Sequence, residues 1–566
     1  MPLSTLIQRS SLPSPSLSEA QAHALLQAHY DLAGSLAELG SQQDLNFRLD
    51  TGQGRYVLKV CHGSYAQVEL EAQHAALAYL RGQGVPVPGV RPARDGQALL
   101  ALEVDGQPLR ARLLDYIEGQ PLTRLKHMQP RLMAELGALC ARVDKALAGF
   151  DHPGLVRTLQ WDPQHAQPLI EHLLPVLQAP EQRARIEQAT RLAAAHLAPL
   201  AGQLPSQAVH LDITDDNAVW ARDSERQWQL QGVIDFGDLL HTWRVADLSV
   251  TCAALLHHAQ GDPLRILPAV RAYQAINPLE EAELRALWPL VLNRAAVLVL
   301  SSEQQLAVDP GNQYTRDNIG HEWDIFNTAT AVPFSLMEAA ILQAAGITPA
   351  APELAGGVPL LPGLAGQAVT RVDLGVLSPH CEAGNWEQPG FDQRLLAAQP
   401  APACSLYGQY RLSQTHIDRP EEPATCALGV ELQVPSGSVV QAPQAGTWQR
   451  HGEGRGCLRT ANWALWLGGL EDAPADGQAL EQGQALGRSG GLLSVQLCLD
   501  SATQPPFFAT PSHAPAWLAL CPSPAGLLGF DCDAEPLADP QALLARRDAS
   551  FARSQKHYYA QPPHIE

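Results

Sequence analysis

Two short stretches, AVHLDITDDNAVW (Ala208 to Trp220) and LQGVIDFGDLL (Leu230 to Leu240), constrain this chain more than anything else in it. The first crowds His210, Asp212, Asp215, Asp216 and Asn217 between two apolar ends. Read alone it is equally a surface turn, because Asp and Asn favour turns. The second reads as a short buried strand that delivers Asp235 at its end and breaks at Gly237. A fold that holds both must set a loop leaving one strand against the end of a neighbouring strand, with carboxylates and an amide oxygen converging there.

The order is H-x-D-x-x-x-x-N followed by I-D-F-G, and the spacing has a chemical reason. Phosphoryl transfer from a nucleotide needs a carboxylate that orients the acceptor hydroxyl and takes its proton, and oxygen ligands that hold magnesium against the phosphates. Asp212 suits the first task. Asn217 and Asp235 suit the second, and His210 braces the loop rather than reacts.

A chain of 566 residues is too long for one hydrophobic core, so several domains are expected. Lys plus Arg at 38 against Asp plus Glu at 58 leaves a net charge of -20, which disfavours nucleic acid or an anionic membrane as the main partner. No apolar run has the length of a membrane span, and the first residues lack the apolar core of a secretion signal. A cytoplasmic protein is expected. The ten cysteines include no C-x-x-C pair, so buried, reduced thiols are the expectation.

Along the chain, a helical pattern from Leu17 leads through DLNF into the strand RYVLKV, where Lys59 sits among alternating apolar residues and needs a partner. The apolar-periodic helix that follows, VELEAQHAALAYLRG, carries Glu69 and Glu71 near its start. Arg110 to Leu122 reads as an apolar strand that turns at Gly119 into a linker, and the sequence beyond is mostly helical on both sides of the two acidic stretches. Near Gly346 the texture becomes rich in Pro, Gly and Ala, as in an interdomain connection. From about Ser405 to Asp500 short apolar stretches alternate with turns, as in a compact all-β unit.

Residues 20 to about 342 resemble the aminoglycoside phosphotransferase and choline kinase superfamily, and within it hydroxylysine kinase-like proteins, through DLNF, YVLKV, HLDITDDNAVW and GVIDFGDLLHTWRVADLSV. The resemblance implies a bilobal protein-kinase-like α+β fold, with a small β-rich N-lobe and a helical C-lobe, that transfers phosphate from ATP or GTP to an amino alcohol or hydroxy amino acid. It implies Asp212 as catalytic base, Asn217 and Asp235 as magnesium ligands and Lys59 as the phosphate contact. Glu71 would be the helix acid that holds Lys59, and an alternative register puts Gln73 in that place. Arg294 could meet an acceptor carboxylate or form a structural ion pair, and Asp238 could touch an acceptor amine or cap a helix. A non-catalytic scaffold and an aminoglycoside-resistance enzyme are the competing readings.

The β unit resembles the lysostaphin-like zinc metallopeptidase fold through LGVELQVPSGSVVQAPQAGTW and GQALEQGQALGRSGGLLSVQL. A working site there needs H-x-x-x-D and a late H-x-H, but those positions fall on Ala427 and Glu431 and on Ser494 and Gln496. No zinc is therefore expected. The tail LLARRDASFARSQKHYYAQPPHIE resembles the opening of a class-III aminotransferase or phospholyase, without the cofactor lysine, so no pyridoxal phosphate is expected in this chain and such a module is a conceivable partner. The expected domains are 1–345 (kinase-like), 346–404 (linker and lead-in), 405–533 (degenerate peptidase-like β unit) and 534–566 (the start of the aminotransferase-like segment).

Overall fold

The computed structural model describes residues 15–535 apart from 41–43, 309–310, 312, 348–356, 377, 383, 417 and 453. The chain divides into two compact units, Met1–Ile347 and Thr348–Glu566. The aminotransferase-like tail beyond residue 535 lies outside the described residues.

The first unit opens with α1 (Glu19–Tyr30), started by Ser18 and Gln21, which bond each other's backbone N–H in a capping box. A six-stranded antiparallel sheet follows: β1 (Ser35–Leu39), β2 (Leu45–Thr51), β3 (Gly54–His62), β4 (Val90–Arg91), β5 (Leu100–Val104) and β6 (Gln107–Asp115). Its order is β1-β2-β3-β6, with β4 and β5 pairing successive parts of β6. Alternation along β3 and β6 sends Leu58, Val60, Ala111 and Leu113 into a core shared with Leu25 and Leu26 of α1. The same alternation sends Lys59 and Arg112, directly paired across the two strands, to the other face. Like charges opposed in a sheet repel, so each must find partners elsewhere. Here Arg112 donates to Gln73 Oε1 at 2.6 Å, on α2 (Gln67–Gly82), while Lys59 turns to carboxylates.

The rest of the unit is helical around two short ribbons. Helices α3 (Pro130–Leu147), α4 (Ala166–Leu173), α5 (Pro180–Leu197), α6 (Val245–Leu255), α7 (Leu267–Ile276), α8 (Glu281–Val308), α9 (Gln313–Ala329) and α10 (Phe334–Ala344) surround β7 (Ser206–Val209), β8 (Ala218–Arg222), β9 (Trp228–Val233) and β10 (Leu240–Trp243). Strand β7 pairs with β10 and β8 with β9. The loop joining β7 to β8 and the loop joining β9 to β10 therefore spring from between the same two ribbons and face each other. Among the described residues α8 alone is long and apolar enough to cross a membrane by itself, and 83% of its most apolar window is buried inside the protein.

Two backbone attachments join the ribbons to the sheet's side of the unit. Gln120 and Trp220 exchange N–H···O bonds of 2.9 Å, and Val233 N–H reaches Pro86 O at 3.0 Å. The first requires Gly119: a Cβ there would lie 2.4 Å from Trp220 O.

The second unit is a nine-stranded sheet with short helices at its margins. It corrects the expected boundary, because 357–404 is not a linker. Thr370–Val372 pairs in parallel with Ala403–Ser405 in the same sheet, and Leu360, Leu361 and Leu364 are buried in its core with Trp448, Leu465 and Leu493. The sheet places Glu431 opposite Ser494, and Gln496 opposite Trp466. Arg411, fully buried, binds Glu431 at 2.7 Å and Asp392 at 3.0 Å, while Gln496 is taken by Arg455 and by Pro506 O, both at 2.7 Å. Glu431 is thus neutralised by a guanidinium.

Candidate active site

Residues 210–217 begin with strain. Leu211 has φ +64°, a left-handed conformation that costs a branched side chain of order 1–3 kcal/mol. Asp247, buried near the start of α6, offsets it by accepting both His210 N–H and Leu211 N–H at 3.0 Å. The His210 ring completes the brace. Ile234 O can only accept, so Nε2, 3.1 Å away, carries the proton and Nδ1 accepts Asp212 N–H at 3.2 Å. Burial pushes this imidazole down from its ordinary value, which favours the neutral ring the two bonds require. His210 ties one acidic loop to the other and also packs edge-on against Phe236, with centroids 4.4 Å apart.

The brace presents Asp212. Its Oδ2 accepts Asn217 Nδ2–H at 2.6 Å and its Oδ1 lies 3.3 Å from Arg294 on α8. Burial, then the negative charge of Asp238, push Asp212 up to about 8, against the pull of Arg294. A raised carboxyl of this kind is a stronger proton acceptor once ionised. Because Asn217 uses its amide nitrogen on Asp212, its oxygen is the atom left to face a cation.

Asp235 also sits in the left-handed region, at φ +60°, and its own Oδ1 accepts Gly237 N–H at 3.1 Å. Lys59 Nζ lies 2.8 Å from the same oxygen and 3.1 Å from Asp44. Burial works against the Asp235 charge, but the Lys59 ammonium outweighs it and holds the carboxyl down at about 2. The same two carboxylates raise Lys59 despite its burial. Arg157 fixes the rest of the loop by donating to Gly237 O at 2.7 Å and Leu239 O at 2.6 Å.

The structure thus gathers Lys59, Asp212, Asn217, Asp235 and Arg294, with Asp238 close by. It does not gather Glu71. That side chain is exposed and accepts from Gln67 at 2.7 Å, one turn earlier on the same helix. Gln73, the alternative, is buried but serves Arg112. The second acid beside Lys59 is Asp44, the first residue of DLNF, which immediately precedes β2.

Sequence reasoning also passed over Arg157, Asp247 and Glu322. Burial pushes Glu322, on α9, up to about 7, although Ser302 and Arg294 both favour its charge. Its folded form therefore holds a proton that the unfolded chain releases near 4.5, and stability declines as pH rises from there through about 7. Glu322→Gln should match the parent near pH 4.5 and exceed it by about 1–3 kcal/mol near pH 8, read from urea melts at the two values. Equal differences at both would remove Glu322 as the cause.

Residues 35–287 match the family described as "Phosphotransferase enzyme family" (APH). The homoserine kinase of Cupriavidus necator is 32% identical over 269 residues, which span 45% of this chain and 76% of that protein. The chain belongs to this family, and its first unit is a small-molecule kinase. The hydroxylysine kinase of Mus musculus is 25% identical over 325 residues, spanning 53% of this chain and 85% of that one. Among solved structures, a microcompartment-associated aminopropanol kinase aligns with a TM-score of 0.45 and 19% identity over 58% of this chain and 99% of its own.

Kinases of this family use ATP or GTP with a divalent metal. The donors here fit such an ion: the Asp235 carboxylate is held ionised, Asn217 has an oxygen to offer, and both are hard ligands of the kind magnesium takes.

Proposed function

We propose that the first unit transfers the γ-phosphate of ATP or GTP to the hydroxyl of a hydroxy amino acid or related amino alcohol of the hydroxylysine and homoserine type. The carrying observation is the Asp212 carboxylate, half-buried, raised, and gripped between Asn217 and Arg294 opposite the Asp235–Lys59 pair. In this reading Asp212 takes the acceptor proton. Asn217 and Asp235 hold magnesium, which would neutralise the phosphate charge, and Lys59 contacts the phosphates while Asp44 keeps it in position. Asp238 adds negative charge that keeps Asp212 basic. The Arg411–Glu431 pair supports a non-catalytic second unit, since it ties up the one carboxylate left at the peptidase positions.

Arg294 supports a carboxylate-bearing acceptor. Its guanidinium lies over Trp161 at 4.4 Å, it lines a small cavity of ≈ 20 Å³ with Trp161, Asn293 and Ser249, and its Nη1 is buried with no hydrogen-bond partner among the described residues. A buried donor without a partner costs free energy until a ligand satisfies it. Arg294→Met should lower kcat/KM for hydroxylysine or homoserine by roughly 10–100-fold more than for aminopropanol or ethanolamine, which lack the carboxylate. An equal loss on both classes would leave Arg294 acting through Asp212 alone.

The whole proposal is tested by phosphate transfer from ATP and from GTP over hydroxylysine, homoserine, aminopropanol, ethanolamine, choline and kanamycin. Preference for a hydroxy amino acid supports it. Preference for kanamycin would move the chain to the antibiotic-modifying side of the family, and no transfer to any acceptor would favour the scaffold reading.

A further inference from the structure

Beyond the phosphotransfer residues, the first unit holds a cluster whose proton arrangement is unusual. Asp215 and His258 are almost completely buried, and His257 is nearly so. His257 Nδ1 lies 2.7 Å from Ala254 O and His258 Nδ1 lies 2.9 Å from Leu125 O. A carbonyl oxygen only accepts, so each Nδ1 carries a proton, and in a neutral ring each Nε2 is then a bare lone pair. Both lone pairs converge on one carboxylate oxygen, Asp215 Oδ2, at 3.4 Å from His257 and 2.9 Å from His258. Three acceptors facing one another away from water repel unless a cation lies among them. A second proton on one ring would satisfy His258 and leave His257 Nε2, which is buried with no hydrogen-bond partner among the described residues.

From this geometry we infer that Asp215, His257 and His258 form a site for a borderline-soft divalent ion of the zinc class. The three ligand atoms lie within 4.8 Å of one another. Zinc bonds of about 2.0–2.2 Å in tetrahedral array set ligand atoms roughly 3.4 Å apart, the separation His257 and Asp215 already have, while His258 Nε2, 2.9 Å from the same oxygen, would move out by about 0.5 Å on binding. Imidazoles that bind metal through one nitrogen ordinarily donate the other N–H to a carbonyl or carboxylate, as both do here. Two nitrogen donors disfavour magnesium, so this ion would differ from the magnesium proposed for Asn217 and Asp235. A water molecule would supply the fourth position.

The ion would act as a clamp. Leu122 N–H already bonds Asp215 O at 3.1 Å, Thr123 donates to Asp216, and His258 reaches Leu125, so the segment 122–125 is tied to the loop that carries Asp212 and Asn217. A metal held by Asp215 would join that loop to the turn bearing His257 and His258 by coordinate bonds.

The test uses the full chain stripped with a chelator and titrated with cobalt(II), followed by zinc. About one cobalt per chain, with visible bands of four-coordinate geometry that zinc abolishes, is the expected result. X-ray absorption at the zinc edge should show nitrogen and oxygen neighbours including two imidazoles. His257→Gln, at the rim of the cluster, should weaken binding by at least the roughly 10–100-fold that even an outer-shell partner costs, with circular dichroism and a parent-like thermal melt of the metal-free chain reporting that the fold survives. A parent chain that stays colourless with cobalt, sulfur neighbours at the zinc edge, or undiminished zinc in His257→Gln would each overturn the inference.

Discussion

Asp212→Asn should reduce turnover by about 10²- to 10⁴-fold while leaving nucleotide affinity near that of the parent. The substitution is nearly isosteric, and Asn217 and Arg294 remain in place on either side, so the loop keeps its shape. What is lost is the ability to accept a proton, and that matters only as the acceptor oxygen attacks. The signature is a fall in kcat with an unchanged dissociation constant for a non-hydrolysable nucleotide, measured by calorimetry and steady-state kinetics. Turnover within a few fold of the parent would exclude Asp212 as the base.

Asp235→Asn should act on binding as well as on rate. Asparagine tolerates the left-handed backbone at this position, and Lys59 retains Asp44 as a counter-ion, so folding should survive. The lost charge falls on the metal. Magnesium–nucleotide affinity is expected to drop by about tenfold or more, with turnover falling further because the same ion steadies the transferring phosphate. Titration of magnesium at fixed nucleotide distinguishes this from a general loss of fold, which thermal melts without magnesium would show. A parent-like magnesium titration would remove Asp235 from the metal site.

How much of this was legible in the sequence depended on the range of the interactions involved. The pairing of Asp212 and Asn217 with Asp235 could be read because both loops leave from paired ribbons only a few residues long, so spacing along the chain becomes proximity in space. Lys59 could be read from a charge on an apolar alternation. Its partner could not: α2 turns about 100° per residue, which puts Glu69 and Gln73 on one face and Glu71 roughly 200° from Glu69, on the solvent side. Helical phase alone disfavoured Glu71, but no local signal pointed to Asp44, whose approach depends on how β2 and β3 pair. The segment 357–404 misled for a related reason. Pro and Gly report local conformation, whereas three-residue strands such as Ala403–Ser405 exist only through partners distant in sequence.

The two backbone attachments between the ribbons and the sheet's side of the unit restrict how this kinase can breathe. A single connecting strand would act as a ball joint, free to bend and twist. Gln120 with Trp220 and Pro86 with Val233 instead fix two separate points, as a door is hung on two hinges. Motion that preserves both is confined to rotation about the line joining them, and any twist must break a backbone hydrogen bond. Lys59 Nζ and Asp235 Oδ1, 2.8 Å apart, are thus held in register by two main-chain contacts between the parts that carry them rather than by one flexible strand.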